Sequence, residues 1–169
     1  MLFGLGVLMM LIGSALFAPW LAPYDPLQQD LRNRMVPPFW QETGSMSHPL
    51  GTDQLGRDVL SRLIFGARIS LVVGFLAVLI SGTVGVVLGL TAGFYGRLVD
   101  MVIMRLAELQ LTLPFILLAL LVLAVFGTGL RNIIIVLSIS GWAVYGRVVR
   151  AEVRAASEQL HVEAARASG

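Results

Sequence analysis

Four stretches of the chain carry no Asp, Glu, Lys or Arg: Met1–Tyr24, Ile69–Gly96, Leu109–Leu130 and Asn132–Gly146. A helix needs roughly 20 consecutive apolar residues to cross the hydrocarbon core of a bilayer. The first three stretches meet that length. The fourth has 15 charge-free residues and reaches it only as a span from about Arg131 to Val149, with Arg147 snorkelling to the headgroups. The pattern therefore predicts an all-α, polytopic membrane bundle with four transmembrane helices. The first occupies residues 1–19 and closes on Pro19, Trp20 and Pro23, a helix stop with an interfacial aromatic. It reads as a retained membrane helix and not a signal peptide, because no basic region precedes it and its apolar run exceeds the usual signal core. Its start at Met1 without a polar flank points to a natural extension before it.

Residues 20–68 form a polar connection. Between Leu21 and Arg68 lie five of the seven prolines, five arginines and five acids, with too few apolar residues for a core of their own. Beyond Gly51-Thr52-Asp53, Leu55, Val59, Leu60, Leu63 and Ile64 alternate at helical spacing with Arg57, Asp58, Ser61 and Arg62. This predicts an amphipathic helix, capped by Thr52 or Asp53, lying along the membrane surface and leading into the second span.

Residues 69–149 hold spans two to four. The second, about Ile69–Phe94, carries Gly85, Gly89 and Gly93 at intervals of four. That spacing stacks side-chain-free positions on one face, which a neighbouring helix can approach closely; chance in a glycine-rich chain is the plainer alternative. The third, about Leu98–Phe126, has Arg105 and Glu108 one turn apart near one end, where they can pair with each other. An intramembrane Glu108 also stands as a possible functional acid. Pro114 predicts a kink in this helix, a packing bend before a gating hinge. In the fourth span, Ser138, Ser140 and Trp142 could line a solute path, although serines in membrane helices more often bond their own backbone. Residues 150–169 alternate charge with alanine and read as a helix outside the membrane.

Composition strengthens this class: 57% of the 169 residues are hydrophobic, 13% are charged, and the mean hydropathy is +0.84. A soluble globule is excluded. All twelve basic residues are arginine; without lysine there is no phosphate-binding P-loop of the usual type and no Schiff-base chemistry. Without cysteine there are no disulfides or thiolate sites. The net charge of +2 comes from scattered arginines and gives no nucleic-acid footprint. His48 and His161 fall on opposite sides of the membrane in the expected topology and cannot share a metal. No catalytic group, metal site or cofactor site is expected. Arg147, Arg150 and Arg154 beside the fourth span place the carboxyl tail in the cytoplasm by the positive-inside tendency. The five arginines of the 21–68 loop pull the other way. The expected course is amino end in, 21–68 loop out, Gly96 in, Gly129 out and tail in.

Two motifs carry a resemblance. Glu163-Ala164-Ala165-Arg166-Ala167-Ser168-Gly169 has the form E-A-A-x-x-x-G and resembles the cytoplasmic loop signature of permease subunits in ATP-binding-cassette importers. The segment His48–Leu71, with G-T-D-x-L-G-R-D at Gly51–Asp58, looks like the segment before the second span in the dipeptide, oligopeptide and nickel branch of those importers, and Leu21-Ala22-Pro23-Tyr24-Asp25-Pro26 is similar to that branch too. The family pattern continues past the glycine to an I-x-L-P element and two further membrane helices, so four of six spans are expected here. The resemblance implies a bacterial inner-membrane permease subunit, not an enzyme. Its implied partners are cytosolic ATP-binding subunits, a second permease subunit in a heterodimer, an extracytoplasmic solute-binding protein and the bilayer. It also implies that the helix with Glu163, Ala164, Ala165 and Gly169 docks on the ATPase. Physically, the alanines permit close docking, Glu163 offers a charge for an arginine or a helix N-terminus, and Gly169 permits a sharp turn. The competing class, an ion-coupled secondary transporter, would need charged or unwound sites near mid-membrane, where only serines break the apolar runs.

Overall fold

The computed structural model describes residues 2–159, which are helical apart from loops and a single β-bridge between Thr52 and Asp58. The chain divides into two compact units, Met1–Val72 and Val73–Gly169.

In the first unit, α1 (Leu2–Leu16) and α2 (Ala18–Leu21) are separated only by Phe17, whose carbonyl accepts the N–H groups of Trp20 and Leu21. The polar connection follows, with one 3-10 turn at Leu31–Asn33. Gly56 turns it with φ +73°, a left-handed conformation natural to glycine. A side chain there would run into the carbonyl of Asp30. Helix α3 (Val59–Tyr95) then begins. The expected interfacial helix from Asp53 does not form as a separate element. Leu55 lies in the turn, and Asp58, not Thr52 or Asp53, provides the cap. From Val59 the helix runs unbroken into the apolar stretch, because no proline or capping residue interrupts it.

The second unit contains the remainder of α3, then α4 (Arg97–Thr112), α5 (Phe115–Phe126) and α6 (Leu130–Ser157). Helices α4 and α5 both pack on α6. The expected single helix from Leu98 to Phe126 is broken. Leu113 and Pro114 both take extended conformations, with ψ 126° and 124°, and the helices on either side meet at 91°. A proline disfavours the helical region for the residue before it. Two consecutive extended residues convert the anticipated kink into a break. Conversely, α6 fuses the expected fourth span with the start of the tail helix.

At 37 residues α3 is about 55 Å long and at 28 residues α6 is about 42 Å, against a hydrocarbon core of roughly 30 Å. These two helices are long and apolar enough to cross a membrane, and the bent α4–α5 pair makes a third if it counts as one span. Phe75, Phe94 and Phe126 are each about 70% exposed. An outer surface of this kind fits a hydrocarbon solvent, not water.

Candidate functional site

In the second unit, the glycine row of α3 faces α6. A Cβ on Gly85 would lie 2.6 Å from the Trp142 carbonyl oxygen, one on Gly89 2.6 Å from the Gly146 carbonyl oxygen, and one on Gly93 2.7 Å from Val153 Cβ. The contact continues one turn higher, where a Cβ on Gly141 would lie 2.9 Å from Ser81 Cβ. By contrast, Gly74 and Gly82 of the same helix have open space at the corresponding position. Among the glycines of α3, the 85-89-93 row alone has α6 this close.

At the far end of α6, Arg150 and Arg154 reach Asp100 in the first turn of α4. Arg150 grips the carboxylate with two prongs. Its Nε donates to Oδ1 and its Nη2 to Oδ2 at 2.7 Å, while Arg154 Nη2 donates to Oδ2 at 2.5 Å. The Asp100 side chain is 10% exposed. An acid in the first turn also suits the positive end of the α4 dipole. A planar guanidinium meeting a carboxylate in this forked manner fixes direction as well as distance. Pattern reading missed this junction, since 50 residues separate Asp100 from Arg150. The available signal was an acid in the first turn of one helix and two arginines four apart in the last turns of another.

Other polar groups of this unit find partners close by. Arg105 Nη1 donates to Glu108 Oε2 at 3.2 Å, with both side chains well exposed. The hydroxyls of Ser138 and Ser140 donate to the carbonyls of Ile134 and Val136, each at 2.7 Å. Gln110 donates from its side-chain amide to the Ile139 carbonyl, a second tie between α4 and α6.

In the first unit, Asp58 is 2% exposed and organises the entry to α3. Its Oδ2 accepts the Ser61 N–H at 2.8 Å and the Ser61 hydroxyl at 2.7 Å, and its Oδ1 meets His48 Nδ1 at 3.0 Å. Ser61 Oγ in turn accepts the Tyr24 N–H at 3.1 Å, and the Tyr24 ring stands 4.8 Å from that of His48. One buried carboxylate thus ties the loop's start and middle to the helix. Nearby, Asp53 accepts the N–H groups of Leu55 at 2.9 Å and Arg57 at 3.0 Å, the Arg57 Nε at 2.8 Å, and the Arg62 guanidinium. Loss of water pushes the Asp53 carboxyl up, but these N–H donors and the Arg57 charge outweigh it and hold the group at about 2. The Arg32 N–H and the Asn33 amide likewise keep Asp30 below the usual carboxylate range.

Among the described residues, no group of three His, Cys, Asp or Glu side chains comes together to hold a metal ion, and every buried side-chain nitrogen or oxygen has a hydrogen-bond partner. His48 serves Asp58. His161 and the E-A-A-x-x-x-G residues Glu163, Ala164, Ala165 and Gly169 lie outside the described residues. What the arrangement supplies is mechanical: a close α3–α6 seam, an ion-paired α4–α6 junction and a loop tied to the start of α3.

Comparison with known proteins gives these parts a context. Residues 85–169 match the binding-protein-dependent transport system inner membrane component, and residues 1–38 match the N-terminal TM domain of oligopeptide transport permease C. The chain is 45% identical over 166 residues to the di/tripeptide transport system permease protein DppC of Pseudomonas aeruginosa, covering 98% of this chain and 55% of that protein. It is 46% identical to the dipeptide transport system permease protein DppC of Escherichia coli K12, with the same coverage. With the nickel transport system permease protein NikC of that organism it shares 41% over 155 residues, 92% of this chain and 54% of that protein. The chain thus spans about half the length of the curated relatives it matches. With its apolar helices, its glycine seam and its match to the family over residues 85–169, the chain belongs to the inner-membrane components of binding-protein-dependent transport systems.

Proposed function

We propose that this chain is the part of an ATP-binding-cassette importer permease that forms one side of a solute pathway for peptides, or nickel, and receives the push of a separate ATPase subunit. The observation that carries the reading is identity of 41–46% along nearly the whole chain with permeases named for dipeptides, di/tripeptides and nickel. Nothing in those relatives supports the ion-coupled alternative. In this reading the chain makes and breaks no covalent bond. Its partners are cytosolic ATP-binding subunits, a second permease subunit and an extracytoplasmic solute-binding protein.

Four spans fit this role: α1 with α2, α3, α4 with α5, and α6. The amino end lies in the cytoplasm, the 21–68 loop outside, and the carboxyl tail inside. Helices α1 and α2 together cover Leu2–Leu21, 20 residues or about 30 Å. Gly85, Gly89 and Gly93 hold the second and fourth spans at close range. Beyond α6, the small side chains of Ala164 and Ala165, with Glu163 before them and Gly169 after, form the surface that docks on the ATPase.

The test is Ala165→Glu in the full-length subunit. A buried unpaired charge in that contact costs several kcal/mol, roughly a thousandfold in affinity, whereas on a solvated helix the change costs under about 0.5 kcal/mol. Co-purification of the ATPase and uptake into vesicles should both fall, with solute-binding-protein recognition retained. Wild-type co-purification with wild-type uptake would remove the coupling assignment. Titrating the solute-binding protein with dipeptides and with nickel decides between the two solutes.

A further inference from the structure

We propose that Asp100 is a positioning residue for coupling: it locks the end of α6, from which the chain continues to Glu163, onto α4, so that α4 and α6 respond to the ATPase as one body. This rests on reading the E-A-A-x-x-x-G segment as the ATPase dock. Arg150 and Arg154 are four residues apart and therefore share one face of α6. A single carboxylate receives both, through one fork and one further N–H. Turning α6 about its axis, or sliding it by one turn, would break all three bonds together. The pairing therefore sets both the rotation and the height of the helix that leads into the dock.

A second tie lies ten residues further along α4, where Gln110 donates to the Ile139 carbonyl. The two ties are about 15 Å apart along α4 and bracket most of its length. Just past the second tie, the helix breaks at Leu113 and Pro114. A displacement entering α6 at Ser157 meets Asp100 before any other acid of α4. It is carried along α4 to the break, where α5 turns away at 91° while still resting on α6. The Arg105–Glu108 pair lies within α4 and links nothing to α6.

The experiment uses the full-length subunit assembled with its second permease subunit and ATPase in proteoliposomes, with labelled dialanine as the transported probe. Three quantities are read for each variant: ATPase co-purified per permease, basal ATP hydrolysis, and dialanine taken up per ATP hydrolysed. Asp100→Asn keeps the shape of the side chain and removes its charge. It should leave co-purification and basal hydrolysis near wild type while lowering uptake per ATP at least tenfold. Arg150→Lys keeps the charge and loses the fork, and should give a loss of about threefold to fivefold; Arg154→Gln, on the more exposed arm, should give a smaller one. The charge-restoring Asp100→Glu should recover part of the ratio.

Wild-type uptake per ATP in Asp100→Asn overturns the proposal. Uptake and co-purification falling in strict proportion across the variants overturns it too, since Asp100 would then serve assembly alone. Where Asp100→Asn does not assemble, the ratio in Arg150→Lys decides. Ala165→Glu runs in parallel: if it leaves docking intact, the coupling reading itself fails, whereas if it uncouples while the Asp100 and Arg150 variants do not, only the positioning role fails.

Discussion

Replacing Gly89 by alanine adds one methyl group where α3 meets α6. That carbon would sit 2.6 Å from the Gly146 carbonyl oxygen and 2.8 Å from Val149 Cβ, where ordinary contact begins at 3.4 Å. The backbones must therefore part by about 0.8 Å (3.4 minus 2.6) at this level. A gap of that size forfeits a quarter to a half of the dispersion energy of the atoms along the seam. Insertions of this kind into packed interiors cost about 1–3 kcal/mol, and in a membrane no hydrophobic drive pushes the helices back together. Against this, alanine gains about 0.5–1 kcal/mol over glycine within a helix. The control is Gly82→Ala, where the new methyl meets nothing within 4 Å and only the gain remains. The two single-methyl variants should therefore differ by about 1–3 kcal/mol, a few degrees in melting temperature. Thermal unfolding of the full-length subunit in detergent, with both variants in one series, measures the difference. Equal melting temperatures, or a higher one for Gly89→Ala, would refute the seam; Gly89→Leu should fall below both.

Three further outcomes follow from the first unit and the topology. Asp58→Ala removes the α3 cap and leaves the Ser61 hydroxyl and His48 without their acceptor, so the local stability of the loop should fall by about 2–4 kcal/mol, seen as protease cleavage within residues 21–58 where the parent resists. Asp53 is held at about 2 against an ordinary 3.8. Its contribution is therefore complete above pH 3.8 and disappears as pH falls through 2, and Asp53→Asn should abolish this acid-range change in hydrogen exchange at the Leu55 and Arg57 amides. Ser45→Cys in this cysteine-free chain should react with an impermeant maleimide from the outer face; labelling from the cytoplasmic face alone would reverse the proposed topology.

Periodicity and charge-free length were enough to read the helical class, the end of α3 at Tyr95 and the start of α6 at Leu130, because burial in lipid imposes its demand residue by residue. Element ends were less legible. Thr52 and Asp53 are both good capping types, yet Gly56 and its turn intervene and Asp58 starts the helix. Pro114 announced a disturbance, but its size depended on Leu113 adopting an extended conformation as well. The spacing of Gly85, Gly89 and Gly93 marks a face, while the helix that lies on it is a fact of tertiary structure. Asp100 was the hardest to read, because local spacing offered it Arg97 three residues earlier, while the two arginines it meets lie 50 and 54 residues away.

The break at Leu113 and Pro114 also says which neighbours the chain accepts. It falls inside a 22-residue charge-free stretch and interrupts the backbone ladder; the Thr112 hydroxyl and the Leu113 N–H cover the Glu108, Leu109 and Gln110 carbonyls, while Phe115 and Ile116 begin α5 with no earlier helical turn to receive their N–H groups. Hydrocarbon offers such groups nothing, and each one left bare there costs several kcal/mol. The side of α4–α5 on which the break opens is therefore closed to lipid tails and reserved for water or for another polypeptide. This corner is therefore a place where the otherwise apolar surface of the chain calls for a polar neighbour.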